Sequence, residues 1–261
     1  MKLIRTALMI AMGLSFAAPF GRADEPKKET PAVTPAPAKD EPSIPSTKKD
    51  KNGSDAGFLK RHEGFLTDKT DLLAKGPIQF LLVGDSITDG WRNKSGRKIF
   101  ETAFGSYNPY NIGIGGDRTQ HVLWRLENGE VDGIKPKVAM LMIGTNNLGN
   151  PSNDEIAAGV TKCVQALRAK LPDTKILLLA IFPRSQKADD AARARIKAIN
   201  ETIAKLDDGG KTIKFLDIGD KFLDADGTLP KTVMPDFLHP NAKGYGIWAD
   251  AVKPTLDEMM K

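Results

Sequence analysis

An α/β fold, a parallel sheet covered by helices on both faces, is what this chain predicts, and three observations predict it. Five short apolar runs, Ile78–Val83, Tyr110–Ile112, Val138–Ile143, Ile176–Ile181 and Ile213–Leu216, alternate with longer amphipathic stretches. The runs are almost continuously apolar, as in strands buried on both sides, where one-sided burial would give strict alternation. The glycines and polar residues that bear chemistry gather directly after the runs. In open parallel sheets that is where ligands bind.

The stretches between the runs carry helix signals. One starts near Asp117 and holds His121-Val122-Leu123-Trp124-Arg125-Leu126; another starts near Ser152, where Ser152 and Glu155 have capping-box spacing. A third spans about 187–206. The last follows Asn241, a good N-cap, and reaches Met259, with Pro254 as an expected kink or restart.

At 261 residues the chain suits one substantial domain plus extensions. Lys2 and Arg5, the apolar stretch 7–20 and Gly21-Arg22-Ala23 read as an export signal over residues 1–23, which predicts a periplasmic or secreted protein with no stable membrane span after processing. Residues 24–54 interleave six prolines with Lys, Glu, Thr and Ala and read as a disordered linker, leaving 55–261 as the catalytic domain. Three of the five excess positive charges lie in residues 1–23, and no dense basic stripe remains, so nucleic acid is not an expected partner. The single cysteine, Cys163, lies among Ile156, Val160, Val164, Leu167 and Leu171 and reads as a small core residue.

Two separated blocks suggest a serine hydrolase. Gly84-Asp85-Ser86-Ile87-Thr88 puts a serine just past the first strand, and Asp236-Phe237-Leu238-His239 puts an acid three residues before a histidine. A serine hydroxyl is a poor nucleophile until a base takes its proton, and the carboxylate orients that base and stabilises its charged form. Only three histidines are present. His62, in Lys60-Arg61-His62-Glu63, reads as a surface residue, and His121 as a packed or capping one, leaving His239 as the candidate base, with a surface histidine at a helix-entry turn as its equal alternative. Gly113-Ile114-Gly115-Gly116-Asp117 and Gly144-Thr145-Asn146-Asn147 follow the second and third strands and, with the Ser86 backbone, offer donors for an oxyanion. Taken singly, each block also fits an ordinary turn.

Other chemistries lack their motifs. Gly113–Arg118 does not complete G-x-G-x-x-G, and neither a P-loop nor a G-x-S-x-G elbow occurs. Asp224-Ala225-Asp226-Gly227 is too short for a calcium loop, and the scattered histidines and lone cysteine make no zinc set.

With Ser86, Gly116, Asn146 and His239 at strand ends in this order, the chain resembles the SGNH (GDSL-type) hydrolase family over roughly residues 75–260. The block Asn111–Glu130, with Ile134-Lys135-Pro136-Lys137, Gly144-Thr145-Asn146-Asn147 and Asp236-Phe237-Leu238-His239, is most similar to the catalytic subunits of intracellular platelet-activating factor acetylhydrolase. The Gly-Asp-Ser-Ile-Thr-Asp-Gly-Trp block looks closer to bacterial sugar-ester esterases of that family. The resemblance implies a flavodoxin-like, five-stranded α/β/α sandwich without metal or cofactor, and possible pairing into a homodimer. It implies Ser86 as nucleophile, His239 as base and Asp236 as orienting acid. Oxyanion donors would come from the Ser86 and Gly116 backbones and the Asn146 side chain, and Ile87, Thr145 and Leu238 would shape a small acyl pocket. The expected function is a serine esterase acting on short, acetyl-type esters of carbohydrates or lipids through an acyl-serine. A lysophospholipase or thioesterase with a longer acyl pocket and a non-catalytic carbohydrate- or lipid-binding module on the same fold are the alternatives.

Overall fold

The computed structural model describes residues 41–261; the expected export signal and residues 24–40 of the expected linker lie outside it. The sheet is formed by β1 (Phe80–Gly84), β2 (Pro109–Asn111), β3 (Val138–Met142), β4 (Lys175–Leu179) and β5 (Ile213–Leu216). Every neighbouring pair is parallel, and the strand order is β2-β1-β3-β4-β5. That is the doubly wound, flavodoxin-like order, with its switch point beside β1. All five strands coincide with the apolar runs to within a few residues.

The helices are α1 (Ala56–Lys75), α2 (Ser86–Asp89), α3 (Arg97–Phe104), α4 (Thr119–Glu127), α5 (Asn153–Lys170), α6 (Ala191–Ile203) and α7 (Ala242–Met259). Successive strand side chains point to opposite faces, and this divides the core in two. Leu81, Val83, Ala139, Leu141, Ile176 and Leu178 pack against apolar residues of α1, α4, α5 and α6. Phe80, Leu82, Val138, Met140, Met142 and Leu177 face the other way, toward α3, α7 and Ile87 of α2. The result is a three-layer α/β/α sandwich. No helix among the described residues is long and apolar enough to cross a membrane.

Several local signals have the structure they predict. Ser152 Oγ accepts from the Glu155 N–H at 3.2 Å, and Glu155 Oε2 accepts from the Ser152 N–H at 2.7 Å, closing the capping box of α5. Asn241 Oδ1 caps α7 through the Gly244 N–H. Cys163 is buried in the α5 face of the core. The helix expected from residue 187 begins at Ala191, because Asp190 accepts from the Ala192 N–H and caps it there. Helix α7 runs through Pro254 without a restart, its buried stripe Tyr245, Trp248, Val252, Leu256 and Met259 seating both sides of the proline.

Two expectations are corrected. The composition of residues 24–54 predicts disorder up to the domain boundary, yet residues 41–54 are seated on the domain. The Pro42 carbonyl accepts from Thr119 Oγ1 at 2.7 Å, the Ser46 N–H donates to the Gln120 carbonyl at 3.1 Å, and Lys48 reaches Asp117 at 2.8 Å. Directed polar contacts hold this strap, where composition registers only its lack of apolar surface. The second correction is His62, expected at the surface but buried, with Nδ1 2.8 Å from Glu130 Oε1. Phe58, His62 and Phe65 form the buried stripe of α1, at the i, i+4, i+7 spacing of one helix face. The stripe reads as polar because its middle member is a histidine, buried only by virtue of its carboxylate partner.

Candidate active site

Helix α2 starts immediately after β1. Asp85 is its N-cap: Oδ1 accepts from the Ile87 N–H at 2.9 Å, and the Asp85 carbonyl accepts from the Asp89 N–H at 2.8 Å. Ser86, the first residue of the helix, is half-buried at the carboxyl end of the sheet. Two elements clamp the turn. Tyr245 of α7 donates its hydroxyl to the Ile87 carbonyl at 2.8 Å, and Asn111, at the end of β2, donates from Nδ2 to the Thr88 carbonyl at 2.8 Å. Gly113 must be glycine for the β2 loop to lie this close, since a Cβ there would sit 2.4 Å from the Asp89 nitrogen.

The histidine arrives on the loop that leads into α7. Ser86 Oγ and His239 Nε2 are 2.9 Å apart, and His239 Nδ1 is 2.6 Å from Asp236 Oδ2. Asp236 Oδ1 accepts from the backbone N–H groups of Leu238 and His239, at 3.1 and 2.8 Å. Phe237 lies between them with φ of 58°, a left-handed turn that folds the carboxylate back over the two amides and the ring. Its carbonyl accepts from the N–H of Ser185, on the loop after β4, at 3.0 Å. Burial pushes the Asp236 carboxyl up, but the His239 ring and backbone donors outweigh it and hold the group below its ordinary value. The pairing of acid and imidazole is therefore set up before any substrate arrives.

The β2 loop, expected to supply an oxyanion donor, passes beside this serine. A Cβ on Gly115 would lie 3.9 Å from Ser86 Cβ. Gly116 has φ of +74°, and a Cβ there would meet nothing within 4 Å, so the space beside its Cα is open. Asn146 Nδ2 donates to the Asp117 carbonyl at 2.9 Å, which ties the β3 loop to the β2 loop. Thr145 and Ile87 are buried and Leu238 partly so; Ile87 and Leu238 belong to the same apolar cluster beneath the site. Arg184, which the sequence does not single out, holds Thr145 by donating from Nη1 to its carbonyl at 3.2 Å and to Oγ1 at 3.3 Å. A cavity of about 710 Å³ lies elsewhere, between α6 and the segment after β5, and Ser86, Asp236 and His239 are not among its lining residues. Convergent polar groups, rather than volume, locate the site.

His121 has the capping role expected of it, its Nδ1 accepting from the Arg118 N–H at 3.0 Å. Burial and the cations Lys48, Arg118 and Arg125 push its pKa down to about 3, so it is a neutral acceptor at the start of α4.

Asp85 is fully buried, and its Oδ2 has no hydrogen-bond partner among the described residues. Burial pushes its carboxyl up to about 7, against the Ile87 N–H, which favours the anion. Unfolded, the group titrates near 3.8. Between those values the folded chain keeps a proton that the unfolded chain has lost, so stability falls as pH rises toward 7 and then levels. Asp85→Asn keeps the capping oxygen and removes the titration. Its melting temperature should gain on the wild type between pH 5 and pH 8, measured in parallel thermal melts.

The GDSL-like Lipase/Acylhydrolase family model matches residues 82–247. The chain is 34% identical over 222 residues to the rat platelet-activating factor acetylhydrolase IB subunit alpha2, covering 84% of this chain and 90% of that one. It is 32% identical over 218 residues to the human subunit alpha1, covering 84% and 86%. Among solved structures, a GDSL-like lipase from Bacteroides thetaiotaomicron superposes with a TM-score of 0.60 at 19% identity, over 76% of this chain and 98% of that one, which supports the fold. The chain thus belongs to the GDSL-like lipase/acylhydrolase family and is a carboxylic ester hydrolase related to the platelet-activating factor acetylhydrolases.

Proposed function

We propose that this enzyme is a serine esterase that removes short acyl groups, acetyl above all, through an acyl-serine intermediate. The observation that carries the proposal is the unbroken chain Ser86 Oγ, His239 Nε2, His239 Nδ1, Asp236 Oδ2, with spacings of 2.9 and 2.6 Å. Ser86 Oγ attacks the ester carbonyl while its proton passes to His239 Nε2, and Asp236 stabilises the resulting imidazolium. The negative charge that builds on the carbonyl oxygen is met by the Ser86 and Gly116 N–H groups and the Asn146 amide. Asn146 Nδ2 keeps one hydrogen for the substrate while the other holds the Asp117 carbonyl. The imidazolium then protonates the leaving alcohol. The neutral imidazole left behind then takes a proton from water, which attacks the acyl-enzyme, and returns that proton to Ser86 Oγ as the acid departs.

The short-acyl preference follows from what fills the floor of the site. Ile87 and Thr145 are buried, Leu238 packs into the apolar cluster with Ile87, and in this reading the three side chains bound a small acyl pocket. The acetylhydrolase relatives support the same choice. The charged and apolar pattern of residues 1–23, which lie outside the described residues, supports export, and acetylated carbohydrates or lipids outside the cell are then the substrates.

A fluorophosphonate probe should label wild-type protein at Ser86, located by peptide mass mapping, and p-nitrophenyl acetate should be turned over well ahead of the octanoate. Absence of a labelled serine would remove the mechanism, and faster turnover of octanoate would remove the small pocket.

A further inference from the structure

The strap formed by residues 41–54 does more than cover the domain. Lys48 Nζ donates to the Gly115 carbonyl at 2.6 Å and to Asp117 Oδ1 at 2.8 Å. Its side chain is 24% exposed, and the ammonium also lies 5.7 Å from the centre of the Phe58 ring. The Gly115 carbonyl and the Gly116 N–H belong to one planar peptide group and point in opposite directions. Whatever fixes the carbonyl therefore fixes the N–H. This peptide joins two glycines, and the second is already left-handed, so side-chain sterics do little to stop it from flipping. Asp117 cannot follow such a flip. It is fully buried, Arg125 Nε holds its Oδ2 at 3.0 Å, and Asn146 holds its carbonyl at 2.9 Å. Lys48 bridges that fixed point to the mobile peptide.

We propose that Lys48 is a positioning residue that sets the orientation and the donor strength of the Gly116 N–H, so that the strap outside the α/β layers completes the oxyanion site. This rests on the reading of that N–H as an oxyanion donor. The ammonium holds the carbonyl on the far side of the peptide. By drawing electron density toward the oxygen, it also makes the N–H a stronger donor when negative charge develops in front of it. Both effects act on the tetrahedral state more than on the bound ester, so the loss belongs in kcat.

The test uses the full chain with Lys48→Met and Lys48→Cys. Cys163 is buried, so 2-bromoethylamine can restore an ammonium selectively at position 48 of the cysteine variant. Removal of a whole oxyanion donor costs roughly a hundred- to a thousandfold. A donor left in place but unpinned should cost about ten- to a hundredfold in kcat on p-nitrophenyl acetate, with KM nearly unchanged. Phenylboronic acid, which forms a tetrahedral anion on an active serine, should bind more weakly by the same factor. Aminoethylation of the cysteine variant should recover both, while thermal melts of all forms stay within a few degrees. Unchanged kcat and boronate affinity in Lys48→Met would overturn the proposal, as would a loss that tracks the unfolded fraction and does not return with the ammonium. Labelling of Ser86 in the wild type separates the two levels. A labelled enzyme indifferent to Lys48 removes only the positioning role, whereas an unlabelled one removes the mechanism beneath it.

Discussion

Ser86→Ala should lower kcat for p-nitrophenyl acetate by roughly ten-thousandfold or more, His239→Ala should lower it nearly as far, and the double variant should fall no further. The Ser86 hydroxyl and the His239 ring share one hydrogen bond, at 2.9 Å, and in the proposed mechanism they act on one proton. Removing either ends the nucleophilic route, so the second removal finds nothing left to lose. The residual rate would come from binding and from the oxyanion donors, which neither change touches. Fold stability should hardly move. Ser86 is half-buried, the His239 side chain is 42% exposed, and α2 keeps its cap through Asp85 and its clamp through Tyr245. Asp236→Asn should cost less than either, because a carboxylate that is 55% exposed is replaced in part by solvent. The measurement is steady-state kinetics of the four variants beside their melting curves. Strictly multiplicative losses in the double variant, or a His239→Ala enzyme within tenfold of wild type, would show that the two groups do not act as a unit.

How much of this was legible in the sequence depends on whether a residue's role is set by its neighbours along the chain. The strands were legible because each is a continuous apolar run, and the caps at Ser152 and Asn241 because their partners lie three residues away. The meeting of Ser86 and His239 was legible from a serine at a strand end that needs a base, from a choice of only three histidines, and from the family resemblance, which names this pair. The residues that went unread are those whose meaning comes from across the fold. His62 reads as polar surface because Glu130 is 68 positions away, and Lys48 reads as linker because Gly115 and Asp117 are 67 and 69 positions away. Arg184 and Tyr245 hold site residues through contacts over 39 and 158 positions. No periodicity or local motif carries such a pairing. Strand order was unread for the same reason, since five similar apolar runs do not state which lie side by side.

Two of those long-range pairings, through Glu130 and through Asp117, converge on Arg125, and its removal should be the most damaging single change to the fold. Arg125 is fully buried beneath the β2 loop. Nε donates to Asp117 Oδ2 at 3.0 Å, and Nη2 approaches the same oxygen at 2.9 Å without the angle of a hydrogen bond. Nη1 donates to the Ile112 carbonyl at 2.8 Å and to Glu130 Oε2 at 2.5 Å. Glu130 in turn meets His62, and Asp117 meets Lys48. A pair of buried carboxylates is thus held by one central guanidinium. Burial already pushes the Asp117 carboxyl above its usual range, even with Arg125 and Lys48 pulling it down. Arg125→Met fills a similar volume but leaves both carboxylates short of their cation, and breaking such a buried pair costs about 3–5 kcal/mol. For a domain of this size that corresponds to a drop of roughly 10 °C in melting temperature. The deficit has a sign in pH. Deprived of Arg125, the folded-state pKa of Asp117 rises further above its unfolded value, so the penalty is fully present at high pH and shrinks as acid protonates the folded carboxyl. Thermal melts of wild type and Arg125→Met from pH 5 to 8 should therefore diverge as pH rises. A variant within 2 °C of wild type throughout would mean that hydrophobic packing alone supports the β2 loop. Replacing Asp117, Arg125 and Glu130 together by Asn, Met and Gln should recover part of the loss, because no buried charge is then left without its partner. That triple variant would also separate stability from turnover. With the Asp117 charge gone, Lys48 loses its ionic partner and keeps only neutral acceptors, so a refolded domain should still turn over ester more slowly than wild type.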